Sequence, residues 1–291
     1  MSYSIEGRTA IVTGAAHGLG LAIARHFAGQ GANVMFADMD EAGLEREVGA
    51  LAEKQPNIRF FGGDLRQKLT VANLLSATID AYDRIDILIN ASRQCMPTDP
   101  LSAEDDSVQQ MLEQNLFTGL KLTRAVARRM IAQAEKSPAE TRSAGAIVNL
   151  SSIAAQRIQP QLMGYAIASA AVDQMTRTLA LALAPHRIRV NAVAFGSVMS
   201  ASLQSQIKEN ADWRADIRSH TPLGRIAAPS EVAEAAQFLA SEAASFLTGQ
   251  IVTVDGGRTL LDAFAAPLPH PLPTRGRGGT RPHRHHETPT G

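Results

Sequence analysis

The chain has 291 residues, 28 Lys plus Arg against 28 Asp plus Glu, a formal net charge of zero, and 45% hydrophobic residues. That length allows one large domain or two small ones, and the charge balance speaks against a nucleic-acid-binding domain, which draws on a basic excess. One cysteine, Cys95, excludes an intrachain disulfide and a cysteine-built zinc site. Met1 to Arg8 shows no basic patch leading into an apolar core, and no apolar run approaches the ~18 residues of a membrane span. The expectation is a soluble cytoplasmic protein.

Strands alternate with helices along the chain. Thr9 to Thr13 is a short β-branched run, followed by a glycine loop and a helical pattern over Leu19 to Gln30. Asn33 to Ala37 predicts a second strand, Glu41 to Lys54 a helix, and Asn57 to Phe61 a third strand. Gln67 to Tyr82 predicts a helix, Ile85 to Ile89 a fourth strand, and Gln109 to Ala134 a long helix. Ala146 to Leu150 is the fifth strand and Gly164 to Ala184 a helix apolar on most faces. Ile188 to Val193, Ser230 to Ser241 and Gln250 to Val254 complete the series as strand, helix and strand. Apolar runs of strand length predict strands covered on both faces, as in a parallel sheet. The alternation predicts one α/β domain, a Rossmann-like doubly wound parallel sheet of about seven strands, over residues 1–264.

Ala265 to Gly291 differs from this body. It holds six of the 14 prolines, four of the eight histidines and four arginines, against one acidic residue, Glu287. With little to bury, it is expected to be a flexible appendage. Its Arg281–His286 stretch has the composition to bind a metal or a polyanion, or to do nothing.

The loop Thr13-Gly14-Ala-Ala-His17-Gly18-Leu19-Gly20 lies between the first strand and the first helix. Glycines there allow positive φ and close backbone approach to a pyrophosphate. The helix behind them points free N–H groups and its dipole at the anion. The loop lacks the Lys-Ser/Thr ending of a P-loop, which argues against an ATPase. Asp38, ending the second strand, is placed to accept hydrogen bonds from adenosine ribose hydroxyls and to repel a 2′-phosphate. No arginine or lysine adjoins it to favour NADP, and His17 in the glycine loop is the only nearby candidate. NAD is therefore preferred over NADP.

These pieces resemble the short-chain dehydrogenase/reductase superfamily over about residues 5 to 262. The resemblance rests on the Thr13–Gly20 loop, Asp64-Leu65, Asn115, Ser151-Ser152, Tyr165, Pro222-Leu-Gly-Arg225 and Leu247 to Gly257. It implies hydride transfer between nicotinamide and a small carbonyl or alcohol substrate, and homodimers or homotetramers packed through the two long helices. It implies Tyr165 as the group that passes a proton to or from the substrate oxygen, Ser152 as the holder of that oxygen, and Asn115 as support for a proton relay. It places Gly14, His17, Gly18, Leu19, Gly20, Asp38, Asp64, Leu65, Asn90, Ala91, Tyr165, Gly196 and Val198 along the cofactor.

The chain departs from the family pattern in three places. Ser169 stands where a lysine follows the tyrosine by four residues. One helical turn puts Ser169 on the face of Tyr165, where its hydroxyl offers a hydrogen bond to a ribose hydroxyl but no charge. A free tyrosine has a pKa of about 10, so lowering it by about three units takes roughly 4 kcal/mol of charge stabilisation. Alcohol oxidation, which needs tyrosinate, is expected to suffer more than carbonyl reduction, which needs the neutral phenol. The second departure is Asn90-Ala91-Ser92-Arg93 in place of Asn-Asn-Ala-Gly. Arg93 either points into the site and replaces part of the missing charge, or points outward or obstructs the cofactor. The third is Phe195-Gly196 in place of Pro-Gly, with Ser200 where a threonine is usual.

The leading expectation is an NAD-dependent oxidoreductase; the alternative is a weak or inactive dinucleotide-binding protein acting as a sensor or subunit. Arg157 is expected on a surface loop, and Lys121, six residues past Asn115, is not spaced to reach Tyr165. Cys95 and Met96 suit a substrate pocket or a core equally. Ser197 to His220, with the lone Trp213, resembles a lid.

Overall fold

The first strand, β1 (Thr9–Thr13), is buried along its whole length, and its side chains alternate between two cores. Ala10 and Val12 pack with Ile23, Phe27 and Leu239 on one face, whereas Ile11 packs with Leu74, Leu88 and Leu122 on the other. A period of two with both sides apolar is the pattern of a strand covered by helices front and back. The computed structural model describes residues 3–136, 143–210 and 212–262.

Helix α1 (Gly18–Gly29) follows the glycine loop, then β2 (Asn33–Asp38). Helix α2 runs through Glu41–Leu44, a π turn at Glu45–Gly49 and Ala50–Lys54. Next come β3 (Ile58–Gly62), α3 (Lys68–Tyr82) and β4 (Ile87–Asn90). Helix α4 runs through Ser107–Leu112, a second π turn at Glu113–Phe117 and Thr118–Ala134. Then follow β5 (Gly145–Ser152), α5 (Met163–Leu183) and β6 (Ile188–Phe195). Two short helices, α6 (Ala201–Glu209) and α7 (Asp212–Ser219), precede α8 (Pro229–Ala240) and β7 (Ile251–Val254).

The seven strands form one sheet in the order β3-β2-β1-β4-β5-β6-β7, and every pairing is parallel. The order reverses between β1 and β4, which pair Val12 with Ile89. At such a switch point the two following loops diverge and leave a crevice at the carboxyl ends of the strands.

Two expectations need correcting. The fifth and sixth strands run further than their apolar cores, to Ser152 and Phe195, because their ends pair with each other (Ser151 with Ala194, Ser152 with Phe195). Ser151 and Ser152 therefore lie in a strand, not after it. Ile85 and Asp86 lie before β4, and Asp86 instead accepts the Thr9 amide and two Arg84 nitrogens. The stretch Ser197 to His220 contains two helices that apolar periodicity did not announce, since α7 buries no residue.

The compact unit Met1–Leu261 holds all the elements above; the expectations for Ala265–Gly291 lie outside the described residues. Among the described residues no helix is long and apolar enough to cross a membrane, and no group of three His, Cys, Asp or Glu is placed to hold a metal ion.

Candidate active site

The site forms where the loops after β1, β2, β4, β5 and β6 meet at the carboxyl edge of the sheet. Thr13, the last residue of β1, joins two of them. Its Oγ1 accepts the amides of Ala91 and Ser92, each at 3.0 Å. Gly14 is correspondingly close to that second loop. A Cβ added there would lie 2.8 Å from Ser92 Cα and 2.9 Å from Ala91 O, and the φ of +67° is one that side chains disfavour. Gly18 begins α1, followed by Leu19, half-buried on the core, and buried Gly20. The first-turn amides of that helix have no intrahelical acceptor, and the N-cap residue His17 places no side-chain bond on them.

Asp38 closes β2 on the same side. Its Oδ2 accepts the Ala16 amide and its Oδ1 the Asp40 amide, both at 3.0 Å. A carboxylate has about four acceptor sites, so two remain for a ligand. Asp38 shares a hollow with Gly14, Asp64, Leu65, Ser92 and Thr118. The basic side chains at this end are paired. His17 Nε2 lies 2.6 Å from Asp40, whose carboxyl is held below its ordinary range by the Gly43 amide and then by His17. Arg66 binds Asp64 through Nε at 2.9 Å and Nη2 at 2.9 Å, and this hydrogen bonding pulls the Asp64 carboxyl down.

The loop after β4 is fixed from three sides. Asn90 donates from Nδ2 to Thr123 Oγ1 at 2.9 Å and to Asn149 Oδ1 at 2.8 Å. Asn149 passes the chain on to Thr176 at 2.8 Å. The Asn90 side chain thus braces β4 against β5, α4 and α5, and only its Oδ1, buried and without a partner, is uncommitted. Ala91 is buried beneath the loop. Asn115 lies in the π turn of α4, where its amide exchanges two bonds with the backbone of Gln94. π turns recur at functional sites because they re-aim one side chain out of the helical ladder.

At the substrate side, Ser152 ends β5, and its Oγ accepts the Ala154 amide at 3.2 Å, starting a short 3₁₀ turn. Tyr165 lies in the first turn of α5 and is 8% exposed. Ser169, one turn on, is fully buried. Its Oγ donates to the Tyr165 carbonyl at 2.8 Å and accepts from Arg93 Nη2 at 2.8 Å. This corrects the expectation that Ser169 meets a ribose hydroxyl: its proton is committed to its own helix.

Arg93 points inward, which excludes the outward orientation. Its Nη1 donates to the Leu150 carbonyl. Its Cζ lies 4.9 Å from the centre of the Tyr165 ring and 5.9 Å from that of Phe195. The Gly196 amide donates to Val254 O at 3.0 Å, and Val198 forms a bridge with Ala227, so this loop is tied to β7 and to the segment before α8. Lys121 pairs with Glu113 at 2.8 Å on the exposed side of α4. Arg157 is exposed, as expected of a surface loop. Sequence reasoning missed Thr13 and Gln94 as structural contacts; nothing in a strand-ending Thr or a loop Gln signals such a role.

The family described as enoyl-(acyl carrier protein) reductase matches residues 14–259. The chain is 34% identical over 262 residues to L-fucose dehydrogenase of Mus musculus, covering 88% of this chain and 89% of that protein. It is 35% identical over 260 residues to galactitol 2-dehydrogenase (L-tagatose-forming) of Cereibacter sphaeroides, covering 89% and 97%. Among solved structures, a gluconate 5-dehydrogenase from Burkholderia cenocepacia in complex with NADP and tartrate superposes with a TM-score of 0.80 at 27% identity, covering 90% of this chain and 98% of that one. The protein belongs to the short-chain dehydrogenase/reductase superfamily. It is a hydride-transfer oxidoreductase of that type, in a family that uses NAD or NADP.

Proposed function

We propose that the protein is an NAD(H)-dependent dehydrogenase of small secondary alcohols, with Tyr165 as its proton-transfer group. The observation that carries this is the Tyr165 hydroxyl. It has no hydrogen-bond partner among the described residues, and it sits on the helix packed against the end of β5, where Ser152 stands. A phenol held in place but unpaired is available to a substrate oxygen.

The nicotinamide, when bound, supplies or accepts the hydride. The residues of this chain do the rest. Tyr165 takes the hydroxyl proton in oxidation and returns it to the carbonyl oxygen in reduction. Ser152 holds that oxygen by a hydrogen bond, and Asn115 positions the loop that faces Tyr165. Gly14, His17, Gly18, Leu19 and Gly20 line the pyrophosphate side, Asp38 the adenosine ribose, and Asp64 with Leu65 the adenine. Asn90, Ala91, Gly196 and Val198 border the nicotinamide side. Asp38, with His17 and Arg66 already paired to carboxylates, favours NAD. Relatives named for a sugar and a polyol substrate support a polyhydroxylated or cyclic alcohol. Exposed Phe117 on α4 and Ile167 and Leu181 on α5 suit self-association through the long helices.

The test is fluorescence titration with NADH and NADPH, followed by turnover on sugars, polyols, cyclic alcohols and ketones. NADH binding with oxidation of any of these, lost in Tyr165→Phe, is the expected result. Tight NADPH binding with none for NADH overturns the cofactor assignment. Full activity in Tyr165→Phe overturns the role of the phenol.

A further inference from the structure

Three side chains that depart from the family pattern meet at one point. Arg93, Ser169 and Phe195 come from the loop after β4, from α5 and from the end of β6. The Arg93 guanidinium hydrogen-bonds Ser169, lies 5.9 Å from the centre of the Phe195 ring and lies over the Tyr165 ring at 4.9 Å. We propose that Arg93 supplies, from the loop facing α5, the positive charge that allows Tyr165 to take a proton from a substrate hydroxyl. The proposal rests on Tyr165 being the proton-transfer group.

The geometry carries it in four steps. First, the guanidinium is held and not adventitious. Nη1 is fixed by the Leu150 carbonyl and Nη2 by Ser169 Oγ. Nε is buried with no partner. An arginine anchored at both terminal nitrogens by neutral acceptors keeps its whole charge for its surroundings. Second, those surroundings are two aromatic rings, and a cation within about 6 Å of a ring centre is attracted to its face. The attraction grows when the ring carries a phenolate, because the interaction becomes one between opposite charges in a partly desolvated place.

Third, Ser169 makes the arrangement possible. Its short side chain leaves room for Nη2 and provides the acceptor that aims it. A lysine there would set an ammonium against the guanidinium. Fourth, Asn115 holds Gln94 by two bonds, so the residue beside Arg93 cannot drift. In alcohol oxidation a bound oxidised nicotinamide would accept the hydride, with its electron pair, that the substrate C–H bond gives up. The O–H proton passes to the phenolate oxygen, the C=O bond forms, and the phenol is regenerated. Arg93 acts through Tyr165, as a positioning residue whose charge favours the phenolate.

Other charged groups face this pair. Asp173 and Arg177 follow on α5, and Cys95 lies on the loop of Arg93. Burial pushes the Asp173 carboxyl up, against a hydrogen bond from Ser151 and the charges of Arg177 and Arg93. Asp173 is the acidic group that faces the guanidinium from α5, and its own Arg177 neighbour shares its charge. Desolvation raises the Cys95 thiol, with Arg93 pulling the other way. Asn115 on α4, and Ser152 and Phe195 at the strand ends, bring no charge.

The experiment compares wild type with Arg93→Gln, Arg93→Gly, Arg93→Lys, Ser169→Lys and the double variant Arg93→Gly/Ser169→Lys. Three quantities are read. They are the pH at which phenolate absorbance appears (with Tyr165→Phe subtracted), the NADH dissociation constant, and kcat for oxidation against pH. Arg93→Gln keeps a donor and removes the charge, so it serves where Arg93→Gly fails to fold. In either neutral variant the Tyr165 phenolate is expected to appear roughly one pH unit higher. Oxidation kcat at neutral pH then falls about tenfold, equal to about 1.4 kcal/mol, with NADH affinity little changed.

Arg93→Lys retains most of the wild-type behaviour. The double variant recovers both titration and rate, whereas Ser169→Lys alone loses activity. An unmoved phenolate titration in Arg93→Gln overturns the proposal. So does Arg93→Gly binding NADH much more tightly and turning over faster, which identifies Arg93 as an obstruction. If the titration moves as expected and NADH binds, yet no alcohol is oxidised, the charge assignment is supported and the dehydrogenase reading falls.

Discussion

Asn115 and Gln94 exchange two hydrogen bonds of 2.8 Å, the side-chain amide of one pairing with the backbone of the other. The pairing couples the π turn of α4 to the loop that carries Ser92 and Arg93. It also explains why a helix otherwise regular over Ser107–Ala134 is wound loosely at Glu113–Phe117. The extra residue in the turn aims a polar side chain at the site edge without breaking the helix.

Asn115→Ala removes both bonds and leaves the Gln94 amide and carbonyl without them. At about 1 kcal/mol per bond, the loss of stability is about 2 kcal/mol. The functional effect is expected to exceed the binding effect, because the freed loop carries Arg93 but little of the pyrophosphate cradle. Steady-state kinetics and NADH titration on the same preparation check this: kcat falls about tenfold while the NADH dissociation constant changes by less than threefold. An equal loss in both would place Asn115 in the cofactor cradle itself.

The sheet was legible because β1, β2, β4, β5 and β6 each carry an apolar run at their centre, as strands covered on both faces do. The glycine loop and Asp38 were legible because their positions between a strand and a helix restrict what they can do. The orientation of Arg93 was not legible. A long side chain on a loop has many rotamers, and the one adopted depends on a serine 76 residues away and on a carbonyl of β5. The π turns were equally hidden, since their apolar spacing is close to that of an α-helix. Ser169 was read correctly in position and wrongly in partner, because the chain gives no view of what fills the space left by a missing lysine.

Gly14→Ala tests the close approach of the first two loops. The new methyl would meet Ser92 Cα and N and Ala91 O at 2.8–2.9 Å, all backbone atoms, at a φ of +67°. The left-handed conformation alone costs about 1–2 kcal/mol, and the clash adds to it. A fall in Tm of roughly 4–8 °C is expected for a domain of this size, together with loss of NADH binding. Thermal melts with and without NADH decide it. A variant with normal Tm and normal binding would mean that the loops separate freely and that the cradle is not preformed.

Arg225 and Glu231 give a pH signature away from the site. Glu231 accepts Arg225 Nη1 at 2.6 Å and Nη2 at 2.7 Å, and also the Ala228 amide at 2.8 Å at the start of α8. Ala228 has no side-chain acceptor to return that bond, so Glu231 alone ties the helix start. The Arg225 bond, with the Ala228 amide second, pulls its carboxyl from the ordinary 4.5 to about 2. A depressed carboxylate contributes stability above its unfolded value and loses it as pH falls through the folded one. The contribution is thus complete above about pH 4.5 and disappears toward pH 2. Glu231→Gln should flatten that part of the Tm-versus-pH curve and leave the neutral region shifted by a constant. The pair is partly exposed, so added salt should weaken the effect in wild type. An acid limb unchanged by the substitution would refute the assignment.

Asp38 has two roles that one substitution separates. Its oxygens hold the Ala16 and Asp40 amides, which shapes the glycine loop, and its charge faces the position proposed for the adenosine ribose. Asp38→Asn keeps one acceptor oxygen and removes the charge. Losing one of the two backbone bonds costs about 1 kcal/mol, a Tm decrease of about 2–4 °C. The larger change is expected in cofactor choice. A neutral amide no longer repels a 2′-phosphate and accepts ribose hydroxyls less strongly than a carboxylate. NADH should bind about tenfold more weakly and NADPH more tightly, so that their ratio moves by more than tenfold. Asp38→Ala, which removes both acceptors, should lower Tm further without a further change in that ratio. Parallel titrations of the three proteins with NADH and NADPH, set beside their melting curves, distinguish the two contributions. If the ratio follows Tm across the series, Asp38 acts only by shaping the loop, and the preference for NAD must then come from the pairing of His17 and Arg66 with their own carboxylates.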